Sequence, residues 1–200
     1  MAAPSKTANT SLLSLQSIAT ATATISSAVD VSTKIGAFVG IHFGRRSVTA
    51  LTGGAIFRLE GSYKTSGDGH WFVIVSYPTG VATAETEAVT GTVSAGTNVI
   101  TVASTANLTA GDIIYIDNGT IANSEWGRIK SIVANTSVTI EDNLVNAQTS
   151  STIYDQAEII SWTVDLTTIQ RIRLVVDTYT GPTGVNVAVE ASMSTWDTFA

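Results

Sequence analysis

Three short stretches in the middle of the chain decide the predicted fold: Thr97-Asn98-Val99-Ile100-Thr101-Val102, Ile113-Ile114-Tyr115-Ile116 and Ser137-Val138-Thr139-Ile140. The first and third alternate polar with apolar residues, as a strand with one buried face does. The second is a continuous apolar run, which is typical of a buried strand. Turn residues such as Ser94-Ala95-Gly96 and Ala110-Gly111-Asp112 bound these stretches. We therefore predict a small β-barrel-like domain, inserted over residues 89–157.

Strand patterns on both sides of this insert predict a second β-domain that it interrupts. From Val29 to Phe43, apolar residues occupy mostly odd positions, with Phe38 as the exception. The run Trp71-Phe72-Val73-Ile74-Val75 is apolar throughout, as expected of a central sandwich strand covered on both sides. The sequence thus predicts an all-β protein, in which residues 29–88 and 158–200 form a discontinuous β-sandwich or jelly-roll-like host domain.

Residues 1–28 precede the first of these strands and are mostly Ala, Ser and Thr. Their concentrated apolar residues are Leu12, Leu13, Leu15 and Ile18. This pattern predicts an N-terminal arm that orders on a partner, or a short helix ahead of the first strand. A frayed terminus is the simpler alternative, because terminal segments are commonly disordered unless something ties them down.

The composition excludes several classes of function. A formal net charge of −6 argues against binding a nucleic-acid backbone, which requires clustered Lys and Arg. No run of about 18 apolar residues is present to span a membrane, and the N-terminus lacks the pattern of a secretory signal. We expect a protein made and folded in the cytoplasm. Charged residues make up only 13% of the chain, against about 25% in an average soluble domain.

No set of residues predicts catalysis. His42 and His70 lie far apart in sequence, and no G-x-S-x-G nucleophile elbow is present. The absence of cysteine excludes disulfides and thiolate metal sites. Acidic residues of the insert could supply oxygen ligands for calcium, but they match no EF-hand loop and fit ordinary turns better. We predict no catalytic residue, no cofactor and no metal. The tryptophans could form a sugar-stacking platform, although aromatic residues in strands more often belong to cores or interfaces; they are Trp71, Trp126, Trp162 and Trp196.

One part of the insert resembles a known kind of domain. Three segments of it are similar to small β-domains inserted in virion proteins of tailed phages. They are Gly111-Asp112-Ile113-Ile114-Tyr115-Ile116, then Glu125-Trp126-Gly127-Arg128-Ile129-Lys130-Ser131-Ile132, then Ser137-Val138-Thr139-Ile140. Ile41-His42-Phe43-Gly44-Arg45-Arg46 also looks like part of a phage structural protein. The resemblance implies a minimal barrel whose core residues would be Ile113, Tyr115, Ile129, Ile132, Val138 and Ile140.

The resemblance further implies an assembly function without catalysis. The expected protein is a virion component, a capsid decoration or cement protein that docks on a capsid lattice as a homo-oligomer, with a trimer favoured. Its partners would be the major capsid protein or other virion proteins. A tail, neck or fibre-attachment protein and a carbohydrate-binding module or adhesin stay open as alternatives. The residues expected at a partner interface are Leu12, Leu13, Leu15, Ile18, Arg45, Arg46, Arg171 and Arg173.

Overall fold

The computed structural model describes residues 6–19, 23–46, 55–67, 69–79, 84–177 and 186–197. The predicted all-β class is confirmed, because the regular structure of these residues is β-strand except for one 3-10 turn, Ile121–Asn123. The strands before the middle segment are β1 (Thr10–Ala19), β2 (Thr24–Ile25), β3 (Val29–Asp30), β4 (Lys34–Arg45), β5 (Ile56–Ser62) and β6 (Trp71–Pro78).

The middle segment contributes eight short strands, and three longer ones follow it. Those of the middle segment are β7 (Thr86–Ala88), β8 (Thr92–Val93), β9 (Val99–Thr101), β10 (Ile113–Asp117), β11 (Glu125–Val133), β12 (Ser137–Ile140), β13 (Gln148–Thr149) and β14 (Thr152–Tyr154). The last three are β15 (Glu158–Asp165), β16 (Arg171–Asp177) and β17 (Asn186–Asp197). No helix in the described part of the chain is long and apolar enough to cross a membrane.

Two sheets pair strands from opposite ends of the sequence. Sheet I has the order β1-β17-β4-β15, and sheet II has the order β2-β16-β5-β6, with β3 also paired to β16. Every pairing in them is antiparallel. Inward-facing side chains from both sheets form one hydrophobic cluster, so the two sheets pack as a sandwich. Phe43 of sheet I meets Phe57 of sheet II edge to face at 5.5 Å between ring centroids.

The six-stranded sheet III uses only strands of the middle segment, in the order β7-β14-β10-β11-β12-β9. Backbone hydrogen bonds link the chain just beyond its two edge strands: Thr90 N to Thr101 O at 2.9 Å, and Ala103 N to Ala88 O at 3.2 Å. The sheet therefore curls towards a closed barrel around a hydrophobic cluster of its own. The domain boundaries at residues 28, 88 and 157 stay a prediction.

The alternation predicted for β4 is confirmed, with Ala37, Val39, Ile41 and Phe43 fully buried and Phe38 44% exposed. The phase predicted for β10 is wrong. Ile114 and Ile116 point into the sheet III cluster, whereas Ile113 and Tyr115 do not belong to it. A strand of four consecutive apolar residues gives no signal for which face is inward, so the period of two could not be assigned there.

Two further expectations are corrected. Residues 10–19 form a strand and not a helix, because β1 pairs with β17 at the edge of sheet I and places Leu12, Leu13 and Ile18 in the sandwich core. Residues 1–5 and 20–22 of the predicted arm lie outside the described residues. The apolar strand β6, expected at the centre of the sandwich, lies instead at the end of sheet II.

Candidate functional site

The C-terminal end of β4 brings the sandwich into contact with sheet III. A Cβ atom at Gly44 would lie 2.7 Å from Cζ3 of Trp126 and 3.0 Å from Cβ of Tyr115. Both aromatic residues come from sheet III, where Tyr115 on β10 is paired with Trp126 on β11. Glycine in a strand often marks a close approach of this kind, because it offers no side chain to obstruct it. The missing side chain at Gly44 is thus what admits the two rings.

The Trp126 indole is held from several directions. Its Nε1 donates a hydrogen bond to Oε2 of Glu190 on β17, at 3.0 Å. The His42 ring stacks on it at 5.4 Å between centroids and 22° between planes, and Tyr115 packs against it at 4.7 Å. We call this group, together with Gly44, the Trp126 junction. It joins two strands of sheet I to two strands of sheet III.

Arg45 and Arg46 add to the contact between the sandwich and the middle segment, and their side chains are largely buried. The side chain of Arg45 is 2% exposed; Nη1 donates to the Gln156 carbonyl at 3.1 Å, and Nη2 lies 3.3 Å from Oε1 of Glu158. Arg46 places Nε and Nη2 both 2.8 Å from Oδ2 of Asp117. The sequence suggested a partner-facing pair, but both guanidinium groups bind within the chain. Their partners lie about 70 to 110 residues away, so no local pattern could reveal them.

Burial governs the titration of groups around the junction. It lowers the pKa of His42, an effect that the Glu190 carboxylate partly offsets. It raises the pKa of Tyr115 and of Tyr154, with the Asp117 carboxylate acting in the same direction. Burial also raises the pKa of Asp155, whose Oδ1 accepts a hydrogen bond from Glu85 N at 2.6 Å. The junction therefore favours uncharged His42 and tyrosine side chains at neutral pH.

Arg171 and Arg173 lie together on the outer face of sheet II, above one aromatic ring. Their guanidinium carbons are 4.9 and 4.2 Å from the centroid of Trp71. Arg171 also donates to the carbonyls of Lys64 and Gly67, and Arg173 pairs with Glu60 at 2.7 Å. Both arginines are thus already engaged within the chain.

The apolar residues predicted at the N-terminal interface mostly serve the sandwich core. Leu12, Leu13 and Ile18 are 5%, 7% and 3% exposed. Leu15 is half-buried and lines a shallow groove beside Trp126 and Glu190. That any of the eight predicted interface residues contacts a partner stays a prediction, and the three buried ones offer little surface for it.

A cleft of about 160 Å³ opens beside the junction, which is smaller than the 300–1,000 Å³ usual for small-molecule sites. Among its lining residues, Arg128 and Glu141 form an exposed ion pair at 3.8 Å. His42, Glu141 and Asp142 are the candidate general bases there, and among the described residues no Ser, Thr, Cys or Tyr lines the cleft to act as a nucleophile. No cluster of three or more His, Asp or Glu residues suited to a metal occurs within the described ranges.

Sequence reasoning missed the Trp126 junction, although β4 carried a signal for it. Gly36, Gly40 and Gly44 recur on the outward face of that strand. Repeated strand glycine indicates either a weak strand or a surface that something approaches closely. The structure shows both situations: Gly44 is covered by aromatic rings, whereas Gly40 has only Phe38 at 4.0 Å.

Comparisons with known proteins give distant likenesses. No protein-family model matches the chain, and no curated protein matches it. Among solved structures, the chain is similar to the SPBc2 prophage-derived protein YomS, at 9% identity and a TM-score of 0.33, over 97% of this chain and 96% of that one. It is also similar to a structure of infectious bursal disease virus, Gx strain, at 12% identity and a TM-score of 0.24, over 98% of this chain and 41% of that one. The VP2 subviral particle of the same virus gives 10% identity and a TM-score of 0.23, over 98% and 41% of the two chains. Likenesses at this level do not establish a shared function.

Proposed function

We propose that this chain is a non-enzymatic structural component of a virion, and specifically a capsid decoration or cement protein. The observation that carries the proposal is the place of the segment that resembles inserted phage β-domains. Its three stretches form β10, β11 and β12, which are consecutive antiparallel neighbours in sheet III. The resemblance therefore covers one continuous structural unit rather than scattered residues.

The junction suits a protein that must keep its two β-units in a fixed arrangement. Three contacts join sheet III to sheet I or to the residue that follows β4. They are the ring packing at Gly44, the hydrogen bond from Trp126 to Glu190 and the ion pair of Arg46 with Asp117. Contacts that are partly buried and geometrically specific resist relative movement better than an exposed linker does. A cement protein requires such stiffness, because it must hold neighbouring subunits at a fixed separation.

The distribution of charge also supports an assembly role. Several of the few charged side chains are paired within the chain, as on sheet II, where Asp177, Arg58, Glu60 and Arg173 form a continuous network. The remaining surface is rich in Ser and Thr, and interface centres are depleted of Lys, Glu and Asp. Docking such a surface costs less desolvation than docking a highly charged one.

The tail, neck or fibre-attachment role differs from the proposal in location rather than in chemistry. The sugar-binding alternative has less support, because the best-placed tryptophans are already covered. Trp126 is packed by His42 and Tyr115, and Trp71 by two guanidinium groups.

The proposal is tested on particles of the phage or prophage that encodes the chain. Heads and tails are separated on a density gradient, and each fraction is analysed by quantitative mass spectrometry. We expect the chain in the head fraction at a fixed ratio to the major capsid protein. Its presence in tails alone would contradict decoration and favour the tail role. Its absence from both fractions, with the chain detected in the lysate, would contradict a virion role altogether.

A docking measurement separates a cement protein from one that only decorates the head. Purified heads stripped of the chain are titrated with fluorescently labelled protein, and binding is followed by co-sedimentation. Saturable rebinding that raises the temperature at which heads release DNA is the expected result. Heads that bind the protein without gaining stability would support decoration and contradict a cement function.

A further inference from the structure

Strand β6 combines an edge position with the composition of an interior strand. Its eight residues, Trp71-Phe72-Val73-Ile74-Val75-Ser76-Tyr77-Pro78, contain no charged side chain. One side of β6 pairs with β5, and no strand in the described part of the chain pairs with its other side. Unpaired edges are templates for strand addition, and soluble proteins usually protect them with charges, irregularity or a covering segment.

The other long edge strands of the sandwich carry such protection. β15 begins at Glu158 and ends at Asp165, which places a carboxylate at each end of the exposed edge. β1 has two register shifts in its pairing with β17, and the 3-10 turn Ile121–Asn123 lies against it. β6 has a single register shift, at Ile74, and a proline only at its last position, Pro78, and it carries no charge. It is therefore the least protected long edge of the sandwich.

The exposed apolar side chains of sheet II are concentrated near this edge. Val73 is 51% exposed, Tyr77 39%, and Ile56 on the adjoining β5 38%. Tyr63, in the turn after β5, is 62% exposed and stacks on Phe72 at 4.6 Å. An edge strand that faced water permanently would gain nothing from these side chains, whereas an edge that pairs with another strand would bury them.

We propose that β6 pairs edge to edge with β6 of a second copy of this chain, antiparallel across a two-fold axis near the middle of the strand. The pairing joins the two copies of sheet II into one continuous sheet. A ladder of eight residues is about 27 Å long at 3.4 Å per residue. It would pair outward backbone groups of β6 and place Val73 of each copy opposite Ser76 of the other, about 5 Å from the axis at 3.4 Å per residue.

Charge is the reason for choosing a second copy as the occupant. The chain carries a net charge of −6, so any self-association must use a surface where identical groups do not repel. In a two-fold pairing each residue of β6 faces a residue of the same uncharged strand, and no like charges meet. The charges nearest β6 lie towards its two ends: Arg171 and Arg173 lie over Trp71, and Oε2 of Glu158 lies 3.4 Å from Oη of Tyr77. Antiparallel pairing sets the arginine end of one copy beside the Glu158 end of the other, so unlike charges approach each other. This inference does not depend on the virion role.

The test compares two lysine substitutions on one face of one sheet. Val73→Lys places a charge within the proposed ladder, opposite Ser76 of the other copy. Ile25→Lys places the same charge on β2, at the opposite edge of the sheet, where Ile25 is 53% exposed. Masses are measured by light scattering behind a sizing column over a range of concentrations. Circular dichroism verifies that both variants fold. We expect the wild-type chain and Ile25→Lys to have twice the monomer mass, and Val73→Lys to be a monomer.

A monomeric wild-type chain, a trimer, or a dimer that survives Val73→Lys would each overturn the proposal. A measurement on the unmodified chain covers the case in which Val73→Lys does not fold. Hydrogen exchange of peptides spanning 71–78 is followed at low and high protein concentration, with peptides spanning 158–165 as the reference. Protection that rises with concentration at β6 and not at β15 supports the pairing, and unchanged protection at β6 contradicts it.

Discussion

Gly44 lies against the indole ring of Trp126, so closely that a Cβ atom there would come within 2.7 Å of Cζ3. Gly44 belongs to one of the two longest strands of the sandwich, and Trp126 to the centre of sheet III. The contact therefore fixes two hydrophobic cores relative to each other without using a polar bond at its closest point.

Replacing Gly44 with alanine should lower the free energy of unfolding by about 1–3 kcal/mol, because the ring must move and its bond to Glu190 must lengthen. Gly40→Ala is the matched control on the same strand and face, where the nearest atom is 4.0 Å away. Urea unfolding of both variants gives the comparison. Equal stabilities for the two variants would show that the contact is not tight in solution.

The Arg46 to Asp117 pair should contribute measurably, because the two side chains are only 18% and 11% exposed. We expect Arg46→Met to cost about 1–3 kcal/mol, since it leaves a largely buried carboxylate without its cation. A double-mutant cycle with Asp117→Asn measures the pair itself. The exposed Arg128 and Glu141 pair is the control and should couple by less than about 1 kcal/mol. Equal coupling in the two cycles would contradict this account.

Asp155→Asn should raise stability at neutral pH. Burial raises the pKa of Asp155, so the folded state holds the proton more tightly than the unfolded state, and stability falls as pH rises through the folded pKa. Asparagine retains an acceptor for Glu85 N and carries no charge. The gain over wild type should be present at pH 7 and vanish below the unfolded value of 3.8. A loss of stability at pH 7 would mean that the carboxylate charge is needed there.

His42 should make the protein less stable in mild acid. Because burial lowers its folded pKa below the unfolded value near 6.5, the unfolded state takes up a proton first, and stability falls as pH drops below that value. His42→Phe keeps a ring on Trp126 and should reduce the loss between pH 7 and pH 5. Thermal unfolding at both pH values measures it, with the exposed His70→Gln as the control. An unchanged loss in His42→Phe would assign the pH dependence to other groups.

The parts of this fold that could be predicted were those where polar and apolar residues alternate strictly. The inward face of β4 followed from such a pattern, because one residue in two must be apolar on a half-buried strand. β10 has no polar residue between Ile113 and Ile116, so its apolar run was compatible with either phase. Tyr115 is buried against the sandwich rather than within sheet III, which only the tertiary contact decides.

The candidate site was harder to predict because its contacts join distant residues. Arg45 and Arg46 read as solvent-facing charges at the end of a strand, yet their partners are Gln156, Glu158 and Asp117. The apolar composition of β6 predicts a central strand, whereas the structure places it at an edge. Composition indicates how hydrophobic a strand is. It does not indicate whether the strand's neighbours come from the same chain or from another.

The strand orders of the three sheets imply a sequence of events during synthesis. Every strand of sheet III lies between Thr86 and Tyr154, so this sheet can close as soon as that segment has left the ribosome. β1 to β4 emerge earlier, but their partners β15, β16 and β17 follow sheet III in the sequence, whereas β5 and β6 can pair with each other at once. We therefore expect the nascent chain to hold the apolar strands β1 and β4 unpaired until residues 158–197 have been made, and to need protection from aggregation during that interval.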